Sequence, residues 1–448
     1  MQPENSRRIA KQSDSLMFLE TDCWINHPDR RETRPDRRGL PRDKATPAGP
    51  HPHLQSETGL LIRERICRAV GCLAVLLVML RGALAHAEAP SLEDRIRSHI
   101  AVLASPEYGG RSGVAKSKTR DYLIREFIRG GAQPFFHGNW VQPIPGQTGL
   151  TGEKGPEGEN IGACVRGTDP VLRDEWIVIN AHYDHLGVWQ GQVYPGADDN
   201  ASGVAMLLEV ARAVAAAPLK RSVAFVAFDF EESLLWGSRW FIGHTPVPIE
   251  QIKLCLTADM IGRSLGGMGL PTVFVLGAEY SETLRRTLAE VPVPQGLEVA
   301  QLGADMIGTR SDYGPFRDQE IPFLFFSTGE HPDYHRPSDT PEKIDYPKAT
   351  RIVTLILKLV QSLGDTASEL VWQPPVYQKL KEAKAVFRVT EQLMEADAEG
   401  HIKLSATQRF FVSQVHSKTG YMLRVQKVSN DERKWVARTA QLLLISVF

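Results

Sequence analysis

Five short clusters place imidazole and carboxylate side chains along one chain: His182-Tyr183-Asp184-His185, Gly196-Ala197-Asp198-Asp199-Asn200, Glu231-Glu232, Asp259-Met260 and Tyr334-His335. Taken singly, each has a plain structural use. A lone histidine after a strand usually serves the fold's own hydrogen bonding, and an acidic pair at a helix start complements the helix dipole. As a set they supply the nitrogen and oxygen ligands that zinc accepts, and catalytic zinc sites keep one position open for water. Two histidines and three carboxylates serve two ions if one carboxylate bridges. The acidic stretch 195–200 contains glycine and reads as a loop, folded tightly enough to present Asp198 between the ions. Paired zinc ions acidify water and polarise a carbonyl, which suits hydrolysis near neutral pH without a covalent enzyme intermediate.

Rigid elements must bring these clusters together. Apolar, β-branched runs at 176–181, 223–228, 253–258, 272–276 and 321–326 predict strands, and helical patterns at 203–215, 234–242 and 281–290 lie between them. Continuously apolar strands separated by helices imply the α/β class, with a mostly parallel central sheet and helices on both faces. In such sheets ligands bind beyond the carboxyl ends of the strands. His182 follows the first run, Glu231 and Glu232 follow the second, and Asp259 follows the third.

The flanks read differently. Upstream, Leu92, Ile96, Ile100 and Leu103 have helical spacing, as do Tyr122, Leu123 and Phe127; downstream, a helix over 348–363 closes the domain. Trp372-Gln373-Pro374-Pro375 reads as a linker. After it, Val376, Leu380, Ala383, Phe387 and Met394 share a helical face, and Asn430 is placed to cap a helix running through Trp435 to Leu444. No motif in this helical C-terminal extension carries chemistry, so its expected role is packing against the catalytic domain or a partner subunit.

The chain has 448 residues, 42% hydrophobic and 23% charged, with a formal net charge of −1. That near-neutral balance gives no electrostatic reason for a nucleic-acid partner. Residues 1–59 are rich in arginine and proline, with few apolar residues at regular spacing, and are expected to be a disordered extension or to lie upstream of the true start. Residues 60–87 have the layout of a signal peptide: Arg63, Arg65 and Arg68, an apolar run at 69–80, then Ala85-His86-Ala87. That run is short for a bilayer of about 30 Å. Cleavage near Glu88 is therefore expected, with no stable membrane span afterwards and an extracytoplasmic (periplasmic or secreted) location. The zinc-binding catalytic domain is expected over 88–365 and the helical extension over 366–448. Only Cys164 and Cys255 would remain in the mature chain, each expected to be buried singly.

Over roughly residues 91–363 the order and spacing resemble the aminopeptidase Y family of co-catalytic zinc peptidases, metallopeptidase family 28. The resemblance includes His99-Ile100-Ala101-Val102-Leu103-Ala104-Ser105, the Ala-Ser-Gly after the double aspartate, Glu231-Glu232 followed by Leu235-Trp236-Gly237-Ser238, Ser311-Asp312-Tyr313 with Phe316, and His335-Arg336-Pro337-Ser338-Asp339-Thr340. It implies one ion on His182 and Asp259, another on Glu232 and His335, and Asp198 bridging. Glu231 would be the general base and Tyr334 an oxyanion-supporting phenol. Asp184 would orient His182, Asp339 would orient His335, and the Asp198-Asp199 bond would be cis. The implied activity is aminopeptidase hydrolysis of peptides with free N-termini. A glutaminyl cyclase, which performs an intramolecular transfer in the same structural family, is the alternative, and an inert binding ectodomain is a third reading. The sixteen residues from His182 to Asp198 and the twenty-seven from Glu232 to Asp259 favour this architecture over that of carboxypeptidase and deacylase relatives.

Overall fold

The computed structural model describes residues 89–146 and 154–446; the expected N-terminal extension and signal peptide lie outside them. In chain order the strands are β1 (Gln133–Pro134), β2 (Val141–Ile144), β3 (Gly158–Val165), β4 (Trp176–His182), β5 (Gly187–Trp189), β6 (Gln192–Tyr194), β7 (Ser222–Phe228), β8 (Ile252–Ala258), β9 (Thr272–Leu276), β10 (Glu298–Leu302) and β11 (Phe323–Ser327). The α-helices are α1 (Leu92–Leu103), α2 (Lys116–Gly130), α3 (Gly203–Ala216), α4 (Trp236–Gly243), α5 (Glu282–Glu290), α6 (Tyr313–Arg317), α7 (Tyr346–Asp365), α8 (Lys379–Ala398), α9 (Ala406–Val425) and α10 (Asn430–Ser446).

Nine strands form one mixed sheet in the order β1-β3-β7-β4-β8-β11-β9-β10, with β2 also on β3. Its centre, β7-β4-β8-β11, is parallel throughout. These four strands, with β9, are the ones that the apolar runs predict. Every residue of β4 and β7 is buried, because helices cover both faces. The flanks depart from the parallel pattern: β3 is antiparallel to β7, and β9 is antiparallel to β11. Of the flanking strands, β2 alternates exposed and buried positions and so has no continuous apolar run, whereas β9 is buried throughout.

Side-chain alternation divides the core in two. Ile177, Ile179, Phe225 and Leu256 face one layer, with α1, α2, α3, α5 and α7. Val178, Val226, Phe228 and Cys255 face the other, where α4, α6 and the three C-terminal helices pack. The extension therefore covers one face of the sheet. Sequence reading has no helix at α9. Its start was legible in the capping box of Ser405 and Gln408, but its buried stripe is narrow: Val412, Val415, Thr419 and Met422. Cys164 and Cys255 are both buried and free. No described helix is long and apolar enough to cross a membrane.

Candidate metal centre

The parallel strands deliver their chemistry at their carboxyl ends. His182 is the last residue of β4, the chain leaves β7 through Asp229 and Phe230 into Glu231 and Glu232, and Asp259 follows β8. The segment after β11 carries His331, Tyr334 and His335, and the loop between β6 and α3 carries Asp198 and Asp199. At the start of α3, a Cβ on Gly203 would come within 2.4 Å of the Ala258 carbonyl, so glycine lets this loop approach the end of β8.

Asp199 lies between two histidines. Its Oδ1 is 3.3 Å from His182 Nε2, which is also 3.3 Å from Asp259 Oδ1; its Oδ2 is 3.2 Å from His335 Nε2, which is 3.1 Å from Glu232 Oε2. A single N–H cannot point along two such lines at once. Ligands on a tetrahedral ion with bonds of about 2.0–2.2 Å stand roughly 3.3–3.6 Å apart, so the donor spacing fits zinc. Glu231 offers an oxygen within 4.8 Å of the His182 and Asp259 donors, and His185 joins Asp199 and Glu232 in a second group of the same kind. His185 Nδ1 stands 2.8 Å from Glu232 Oε1.

Three sequence expectations need correction. Asp198 does not face the histidine pair: its Oδ1 accepts from the Gly262 amide at 2.6 Å and its Oδ2 lies 3.4 Å from His331 Nε2. Asp199 and Asn200 leave helical backbone geometry, so the two neighbouring carboxylates point to different sides of the loop. The cis bond is Asp199-Asn200, one position later than expected. Asp339 does not orient His335 either. Its carboxylate accepts from the amides of Asp198, at 3.0 and 3.2 Å, and of Asp199, at 3.1 Å. Asp184 does stand behind His182, but through its backbone: its carbonyl is 3.1 Å from His182 Nδ1 with the carboxylate at 3.8 Å, and that carboxylate accepts from the Glu231 amide at 3.1 Å. Tyr334 stacks on His335 with ring centroids 3.9 Å apart and faces the same space as Asp199, Glu231 and Asp259.

Four groups that sequence reading gave no role belong to this site or pack against the loop that supports it. Asp199 and His185 were in the quoted motifs, but nothing in their spacing says which way each points. His331 had no visible signal. Arg111, fully buried, donates to the carbonyls of Leu103, Tyr183, Pro195, Gly196 and Asp199, and so clamps the loop that carries Asp199. Burial holds its guanidinium down at about 10.

Electrostatics follow from crowding acids in a dry place. Burial pushes Glu231 and Asp259 above the usual carboxylate range. Burial, with Asp229 adding to it, pushes Asp184 up to about 8; burial and Asp198 push Asp339 up to about 6. Burial acts on Asp199 in the same direction, yet His185, His182 and His335 hold it well below the ordinary value. For His335, burial opposes protonation, and hydrogen bonds to Asp199 and Glu232 overcome it, raising the ring to about 10. Such a cluster calls for cations, since buried charges persist only when paired or bound to metal. Backbone strain is concentrated at the same place: Phe230, Met260 and His335 have φ of 56°, 56° and 54°, a region costly for side chains of this size.

Residues 160–360 match the sequence model of peptidase family M28. Over 225 residues the chain is 28% identical to aminopeptidase YwaD of Bacillus subtilis, covering 47% of this chain and 45% of that one, so it spans about half the length of that relative. It is 27% identical over 276 residues to the uncharacterized protein YfbL of Escherichia coli, covering 54% of this chain and 79% of YfbL. A glutaminyl cyclase structure from Porphyromonas gingivalis superposes with a TM-score of 0.50 at 20% identity, over 60% of this chain and 98% of the other, and so shares the fold.

Proposed function

We propose that the chain, whose residues 160–360 match the sequence model of peptidase family M28, is a zinc-dependent aminopeptidase that releases the N-terminal residue of a peptide. The observation that carries this reading is the Asp199 carboxylate, with one oxygen facing His182 and Asp259 and the other facing His335 and Glu232. That set suits two ions sharing Asp199, with His182 and Asp259 on one side and Glu232 and His335 on the other. Zinc, when bound, would supply polarisation of the scissile carbonyl and acidification of water.

The chain's own groups supply the rest. Glu231 accepts a proton from the attacking water and returns it to the leaving amine, a role worth about 10²–10⁴-fold. Its burial, which raises its proton affinity, matches that duty. The Asp184 carbonyl fixes the ring of His182, and its carboxylate holds the backbone of Glu231. Tyr334 borders the reacting space, where its hydroxyl can donate to the carbonyl oxygen as charge develops. The basic, apolar and small-residue layout of 60–87 supports an extracytoplasmic enzyme.

Zinc analysis of the purified chain with a panel of aminoacyl amides and N-terminal glutamine peptides tests this. Two zinc ions per chain and amide hydrolysis are expected. Glu231→Gln should keep its zinc and lose at least ~10²-fold in turnover, whereas Glu232→Gln should lose zinc first. Cyclisation of N-terminal glutamine without hydrolysis would overturn the reading in favour of a cyclase.

A further inference from the structure

The buried carboxylates stand at one end of a cavity of about 160 Å³. Asp199, Glu231, Asp259 and Tyr334 form its polar end. Arg310, Ser327 and Glu330 add further polar lining, and most of the remainder is apolar: Leu265, Phe274, Leu302 and Phe325 come from the catalytic domain. The remaining wall belongs to the C-terminal extension. Ala385, Val386 and Val389 project from α8, and Ala440 and Leu443 from α10.

We propose that the C-terminal helices form the wall of the pocket that receives the substrate's first side chain, and that they select an elongated apolar or aromatic residue there. This rests on the aminopeptidase reading above. The volume supports the size class, because an apolar cavity of roughly 150 Å³ holds a benzene ring. The lining supports the chemistry: an aromatic or long aliphatic chain buries its surface against valine, leucine and phenylalanine, while its α-amino and carbonyl groups remain at the carboxylate end. A short residue such as alanine leaves the far wall untouched.

The wall is fixed rather than loosely laid on. Arg433 of α10 donates to Asp305 at 2.5 and 2.6 Å and to Glu382 of α8 at 2.7 and 3.0 Å. Asp305 sits in the segment after β10 whose Met306 and Ile307 also line the cavity. One buried guanidinium therefore ties together the three parts that border the apolar end. The Gln441 side chain adds a bond to the Asp305 carbonyl at 2.8 Å. Arg433 touches no substrate in this scheme and acts as a positioning residue.

The test uses the zinc-loaded full chain with phenylalanyl and alanyl amides. Val389→Trp fills the pocket and should lower kcat/KM for the phenylalanyl amide by at least ~30-fold relative to the alanyl amide, within the range that side-chain fit in an apolar pocket commands. Val389→Ala, which enlarges it, should shift preference towards bulkier residues. Arg433→Met should raise KM for the phenylalanyl amide more than it lowers kcat. An unchanged ratio of the two amides in both Val389 variants would overturn the proposal. Toluene binding to the metal-free protein, followed by NMR, provides a readout that does not depend on turnover: binding to the wild type and loss in Val389→Trp are expected, and equal binding to both would count against the pocket. If the wild type hydrolyses no aminoacyl amide, the aminopeptidase reading itself fails, and the toluene result still decides the wall.

Discussion

The carboxylate of Asp339 holds the backbone amide of Asp199 at 3.1 Å, although 140 residues separate them in sequence. The same carboxylate takes the amide of Asp198, so one fully buried acid fixes the loop from which Asp199 reaches the histidines. Positioning groups of this kind typically govern about 10–100-fold in metal affinity. Asp339→Ala should weaken zinc binding by that factor while leaving the helix content unchanged. A chelator competition titration measures it, and wild-type affinity in the variant would show that the loop holds its shape without Asp339.

Arg111 braces that loop from the other side. Replacing it by methionine leaves five carbonyl contacts unmade, and stranded buried polar groups cost about 1–3 kcal/mol each before relaxation. The Arg111→Met chain should lose at least ~3 kcal/mol in urea unfolding and bind zinc more weakly. A loss below ~1 kcal/mol would mean that water takes over the carbonyls.

The joint between the domain and its extension should respond to pH. Glu279 accepts from the amides of Gly277 and Ala304, and burial lifts its carboxyl from the ordinary 4.5 to about 7. Between those values the folded chain keeps a proton that the unfolded chain has released, so this group's contribution to stability is fully present below about 4.5 and is lost as pH rises to about 7. The stability of wild type relative to Glu279→Gln should therefore fall by on the order of 3 kcal/mol across that window. Urea midpoints at several pH values decide it, and a pH-independent difference between the two chains would contradict the assignment.

The parallel centre of the sheet was legible because β4, β7, β8 and β11 are apolar on both sides, and His182, Glu231, Glu232 and Asp259 were found by their place at or just beyond strand ends. Direction within the loops was not legible. Asp198 and Asp199 are chemically identical neighbours, and only the local backbone turns one towards Gly262 and the other towards the histidines. Asp339 illustrates the same limit: the family resemblance paired it with His335, whereas the fold gives it two amides from a remote loop. The cavity wall on α8 and α10 carries only alanine, valine and leucine there, residue types that read as packing until the carboxylates are seen at the other end.

The central claim is that Asp199, rather than Asp198, is the carboxylate shared between the two halves of the metal centre. Zinc content and aminoacyl-amide turnover, measured together in Asp199→Asn and Asp198→Asn, test it most directly. Asp199→Asn is predicted to lose zinc and with it at least ~10²-fold in turnover. Asp198→Asn, whose side chain meets Gly262 and His331 instead, is predicted to be less stable yet to retain its zinc and measurable activity. The reverse pattern, with zinc lost in Asp198→Asn and kept in Asp199→Asn, would contradict the account.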